Sequence, residues 1–63
     1  MKNKIRELRK RHELTQDELA ELIGISRQAI NAIEKEKFDP SLPTAFKMAK
    51  LFDLSIEKIF LFK

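Results

Sequence analysis

The chain has 63 residues, a formal net charge of +3, no cysteine and one histidine. A chain this short buries only about 60% of its unfolded surface, which suits a single domain over 1–63 held by packing or oligomerisation, with no disulfide or thiolate metal site to staple it. No apolar run is long enough to span a membrane, no secretory signal precedes the charged N-terminus, and no nucleophile, base, metal cage or phosphate loop is assembled, so a soluble cytoplasmic non-enzyme without cofactor is expected.

Charge is polarised along the chain. Lys2, Lys4, Arg6, Arg9, Lys10 and Arg11 face one acid, Glu7, in the first twelve residues, and the imbalance suggests an anionic partner, most simply nucleic acid. Ile5, Leu8 and Leu14 give this region its apolar stripe and predict helix one over Lys2 to Arg11, with basic residues in the last turn where they complement the helix dipole. His12 follows as a surface residue. Arg9 lies beside Leu8 on or near the apolar face, an unusual place for a solvated arginine.

Two short amphipathic helices then meet across one glycine, over residues 16–35. Thr15 with Glu18 forms a capping box that starts helix two at Gln16, and Leu14 can staple onto Leu19. Gly24, the only glycine, stands where the helix must stop and the backbone must turn left-handed. Ile25, Ser26 and Ile30 repeat the staple and cap, starting helix three at Arg27. The helical period turns Leu19, Ala20, Leu22, Ile23, Ile25, Ala29, Ile30 and Ile33 inward. Arg27, Gln28, Asn31, Ala32 and Lys35 face outward, a set of side chains suited to reading base edges rather than to packing.

Between Lys35 and Ser41 periodicity is lost and Asp39-Pro40 disfavours helix, so a loop is expected, with Phe38 closing over the core. Ser41 caps helix four, Pro43 is tolerated in its first turn, and Leu42, Ala45, Phe46, Met48, Ala49 and Phe52 make its buried face. Asp53-Leu54-Ser55 ends that helix and starts a fifth of hardly two turns, with Leu54 stapling onto Ile59 and with Ile56, Ile59 and Phe60 apolar. Ile59, Phe60, Leu61 and Phe62 then stand in a row. Four consecutive apolar residues at the end of so small a chain read as a dimer interface, within a dimerisation segment 55–63, the alternative being that they fold back onto their own helix four in a monomer. High strand propensity at Phe60-Leu61-Phe62 allows a short strand there, beside residues near Met1 to Asn3. The fold class is therefore all-α, five helices with a helix-turn-helix at their centre and a possible C-terminal β-strand.

These residues resemble the Xre, or Cro-and-phage-repressor, type of bacterial helix-turn-helix regulators. The resemblance runs through LTQDELA at 14–20, GISRQAI at 24–30, Ile33-Glu34, Pro40-Ser41-Leu42 and SIEKIF at 55–60, in order and spacing, and is nearest to the small stand-alone members. It implies a two-fold homodimer and a structural ion pair of Arg9 with Glu34, a bidentate bond locking helix one to the reading helix. It also implies that Gln16 binds phosphate and braces a reading residue. Two departures stand out. Asn-Gly is usual where Lys35-Glu36 stands, so a positive backbone angle there would be strained, and Ala32 replaces a longer base-reading side chain.

The expected function is sequence-specific binding of double-stranded DNA by a transcriptional regulator, a repressor acting as a homodimer on a palindromic operator, with helix three in the major groove. Arg27 suits a guanine, Gln28 an adenine, and Asn31 a base or a phosphate. Gln16, Ser26, Lys35 and Lys37 are the candidate backbone contacts. The alternative is a protein-interaction module, such as an antitoxin or a transcription bridging factor, on the same fold. No small-molecule effector pocket is legible.

Overall fold

The computed structural model describes residues 1–62. In chain order the elements are β1 (Lys2–Asn3), α1 (Ile5–Arg11), α2 (Gln16–Ile23), α3 (Arg27–Glu34), α4 (Leu42–Phe52), α5 (Ile56–Ile59) and β2 (Phe60–Leu61). The five expected helices are present, and the tail forms the strand that its composition suggested.

Helix one starts three residues later than periodicity predicts, and Asn3 is the reason. Its side-chain oxygen accepts the Ile5 N–H at 3.2 Å, while its amide nitrogen donates to the Ile33 carbonyl at 2.8 Å and the Met1 carbonyl at 3.1 Å. The backbone before Ile5 is thereby held extended and tied to the end of α3. β1 pairs antiparallel with β2, Lys2 opposite Leu61 and Asn3 opposite Phe60, and Lys4 N–H donates to the Ile59 carbonyl at 2.9 Å. Chain ends that would otherwise fray are closed against each other.

The core collects Ile5 and Leu8 from α1, Leu19, Ala20 and Ile23 from α2, Ile30 and Ile33 from α3, Ala45, Met48 and Phe52 from α4, and Ile59 and Phe60 at the end. Each helix buries one narrow stripe, and four residues assigned inward by sequence lie outside it. Leu22, Leu42 and Phe46 are all more than half exposed. On α4 the buried stripe runs Ala45, Met48, Phe52, so Phe46 is rotated about 100° away from Ala45. Leu22 bears the same relation to Ile23 on α2. Phe38 is also more than half exposed rather than folded over the core, in a loop where the N-terminal ammonium meets Asp39 Oδ1 at 3.0 Å.

Helix ends follow the local rules unevenly. Thr15, Ser26 and Ser41 each accept a backbone N–H at an N-cap, whereas Ser55 makes no side-chain cap and α5 is a single turn of four residues. Gly24 takes φ 87°, but Glu13, Glu36 and Asp53 are also left-handed, at φ 56°, 64° and 55°. At Glu36 the strain expected from the Lys35-Glu36 departure is present. It is tolerated because the turn it makes lets Lys37 N–H reach the Ala32 carbonyl at 3.0 Å, satisfying a helix-end acceptor.

These angles give a paired expectation. A Cβ at Gly24 would touch only Lys47 Nζ, at 3.9 Å, so Gly24→Ala is opposed by backbone conformation and not by a clash. Gly24→Ala should cost about 1 kcal/mol and Glu36→Gly should gain about 0.5–1 kcal/mol in urea unfolding, relief of left-handed strain outweighing the added freedom of the unfolded chain.

Candidate nucleic-acid interface

The site is built on the crossing of α2 and α3, and its first part is their N-termini. Thr15 Oγ1 accepts the Glu18 N–H at 3.0 Å while Glu18 Oε1 accepts the Thr15 N–H at 2.8 Å, so the capping box is reciprocal. Ser26 Oγ accepts the Ala29 N–H at 3.1 Å, a bond that fixes the start of α3. Between them Gly24 reverses the chain. Lys47, from α4, donates to the Ile23 carbonyl at 3.3 Å and so places a cation at the C-terminal end of α2, where the helix dipole favours it.

The second part is a polar relay through the crossing. Arg9 Nε donates to Glu34 Oε2 at 2.8 Å and Arg9 Nη2 to Glu34 Oε1 at 3.3 Å, while Nη1 donates to the Leu14 carbonyl at 2.9 Å. The side chains are 13% and 4% exposed, so the pair is largely withdrawn from water and its bonds are charge-assisted. Glu34 Oε1 also accepts from Gln16 Nε2 at 3.1 Å, and Gln16 Oε1 accepts from Asn31 Nδ2 at 3.5 Å. Four residues from α1, α2 and α3 thus form one connected chain. No buried side-chain polar atom among the described residues lacks a partner.

Around this relay the outward face of α3 is solvent-exposed at Arg27 and Gln28, with Asn31 half-buried. Arg27 Nε lies 3.6 Å from Asp17 Oδ1, both side chains mostly exposed, a contact that water screens and a stronger partner can displace. Lys35 and Lys37 are exposed just beyond α3. Arg6 joins them without having been singled out by sequence: with Arg9, Gln16, Asn31, Glu34 and Lys35 it lines a depression of about 230 Å³. Its signal was its place one helical turn before Arg9, obscured by the general basicity of the N-terminus. Among the described residues there is no cluster that could hold a metal ion and no helix long and apolar enough to cross a membrane.

The tail departs from expectation. Ile59 and Phe60, assigned to a dimer interface, are 0% and 6% exposed and belong to the chain's own core. Pairing with β1 sets the alternation that turns Phe60 inward and Leu61 outward. Leu61 and Phe62 stay exposed, Phe62 at 85%, and with Met1, Lys2 and Asp39 they line a second shallow depression.

A helix-turn-helix family model matches residues 5–59. An uncharacterized HTH-type transcriptional regulator of Methanocaldococcus jannaschii is 56% identical over 63 residues, covering 100% of this chain and 96% of the relative. A second such regulator, YgzD of Bacillus subtilis, is 45% identical over 60 residues, covering 95% and 91%. Among solved structures, the restriction-modification controller protein C.AhdI from Aeromonas hydrophila superposes with a TM-score of 0.80 at 32% identity, over 90% of this chain and 86% of that one.

The relay makes its own prediction. Glu34→Ala strands Arg9 and the Gln16 amide in a mostly dry crossing and should cost roughly 3 kcal/mol, well beyond an ordinary surface change. Arg9→Met combined with Glu34→Leu should recover at least half of that loss in the same denaturation experiment, since an apolar pair leaves no uncompensated charge.

Proposed function

The chain belongs to the helix-turn-helix family of transcriptional regulators, and on that premise we propose that it binds double-stranded DNA sequence-specifically and represses transcription from a palindromic operator as a homodimer. The carrying observation is that the outward face of α3 keeps Arg27 and Gln28 exposed and Asn31 within reach, while Ile30 and Ile33, which anchor α3, are buried beneath it. Polar groups presented on a rigidly held helix are what base reading in the major groove needs. Arg27 offers two donors to a guanine edge and Gln28 a donor and an acceptor to an adenine.

Backbone contacts would flank this face. The free amides at the start of α2, beside Gln16, form an anion-accepting surface, and Ser26, Lys35, Lys37 and Arg6 surround the reading residues. Such contacts set register and supply salt-dependent affinity without distinguishing bases. Residues 1–63 act as one DNA-binding unit in the cytoplasm, with no catalytic role, in keeping with relatives that are named as regulators.

For the homodimer the supporting surface is now narrower than the sequence suggested. Leu61 and Phe62, with Met1 beside them, are the exposed apolar residues at the joined chain ends, and a second copy would cover them. Two-fold pairing would set two α3 helices about 34 Å apart, one turn of DNA, and require half-sites at that spacing. Occupancy of such a site over a promoter suffices to repress.

Two experiments check this. Arg27→Ala should cost about 1–3 kcal/mol on the cognate duplex and relax preference at one base pair, while Lys37→Ala should weaken all duplexes alike; equal losses for Arg27→Ala on cognate and scrambled DNA would remove it from direct readout. Sedimentation should show a dimer at about ten micromolar that Leu61→Asp with Phe62→Asp converts to monomer, with weaker operator binding. A wild-type monomer whose DNA affinity ignores the double change contradicts the dimer.

A further inference from the structure

We infer that Asn31 reads the exocyclic amino group of a base, and that its amide is turned to do so by a relay beginning at the buried Glu34; this rests on the proposal that α3 enters the major groove. As the partner of Arg9, Glu34 is a carboxylate that only accepts hydrogen bonds. Its Oε1 lies 3.1 Å from the Gln16 amide, and only the nitrogen end of that amide can meet it. Gln16 Oε1 is therefore forced to the other side, toward Asn31. The donor that meets that oxygen is Asn31 Nδ2, at 3.5 Å.

The relay has one polarity. Inverting Asn31 would set two amide oxygens against each other, and inverting Gln16 to compensate would set its oxygen against the Glu34 carboxylate. What remains on the free edge of Asn31 is Oδ1, an acceptor. In the major groove, acceptors are answered by adenine N6 and cytosine N4, whereas guanine and thymine present only acceptors of their own and a methyl group. One N–H of Nδ2 is also free, but a guanine or thymine could meet only that donor and would leave Oδ1 against an acceptor or a methyl group, so Asn31 favours an amino-bearing base. Adenine fits both ends when the second N–H of Nδ2 reaches N7. Arg6 and Lys35 line the same depression as Asn31 and supply cations for the backbone phosphates of the strand it reads. Gln16 is then a positioning residue for specificity as well as a candidate phosphate contact.

Selection from random duplexes with the wild type and with Asn31→Ala identifies the base pair that Asn31 reads. In that operator the amino-bearing base is replaced by its analogue lacking the exocyclic amino group, purine for adenine or pyrimidin-2-one for cytosine. The wild type should lose about tenfold in affinity and Asn31→Ala no more than about twofold, so that the weakened base pairing common to both cancels. Gln16→Ala, which frees the amide to turn, should bind more weakly overall but separate the two duplexes by less than about threefold. Equal losses for wild type and Asn31→Ala, a Gln16→Ala ratio matching wild type, or no base pair relaxed by Asn31→Ala would overturn the inference while leaving DNA reading by the chain intact. Failure of the wild type to enrich any sequence would overturn that reading and this inference together.

Discussion

The ion pair between Arg9 and Glu34 is the contact on which the rest of the molecule depends. It joins α1 to the last residue of α3 and takes Gln16 of α2 as a further partner, so three helices share one charge-assisted cluster, in a core of only twelve buried side chains among the described residues. Hydrophobic burial is non-directional and would let α3 slide or rotate on its apolar stripe. A bidentate bond with an acceptor-only partner does not. On desolvation grounds an apolar substitute would be no less stable, and the contribution of the pair is orientation: it pins the end of α3 to α1, while Ile30 and Ile33 turn the opposite face outward.

Around that fixed point the structure tolerates strain. Helices α1, α3 and α4 each end at a left-handed residue that is not glycine, while the one glycine is kept for the turn between α2 and α3. Each strained turn lets the following N–H return to a helix-end carbonyl, as at Leu14, Lys37 and Leu54. Local conformational cost is exchanged for satisfied backbone groups. The closure of both chain ends by β1, β2 and the ammonium of Met1 on Asp39 completes a small fold that has no disulfide to fall back on.

Much of this was legible in the residues themselves. Thr15 with Glu18, Ser26, Gly24 and Ser41 mark helix boundaries because capping and left-handed turns are decided within a few residues, and the structure follows them. Burial was read less well where it depends on neighbours. Leu42 and Phe46 sit on an amphipathic helix whose stripe proved narrower than its apolar content, and periodicity alone does not say how many partners a helix has. Strand propensity suggests the pairing of the tail with residues near Met1 to Asn3, but it does not say that Ile59 and Phe60 turn into the chain's own core instead of an interface. Arg9 with Glu34 came from family resemblance; the extension to Gln16 and Asn31 is a matter of distances that spacing along the chain does not encode.

On the proposed reading, the N-terminal half of α3, where Arg27 and Gln28 stand exposed above the buried Ile30 and Ile33, is the surface that meets the bases of DNA. Exposed apolar residues elsewhere, on α4 and at the tail, are separate surfaces. Titrating a selected duplex into isotopically labelled protein and following the amide resonances distinguishes these surfaces directly. The expected result is that the largest shifts fall on Gln16, Ser26 to Asn31 and Lys35 to Lys37, with the outward face of α4 at Leu42 and Phe46 little changed. Shifts centred on α4 with the start of α3 silent would contradict the account.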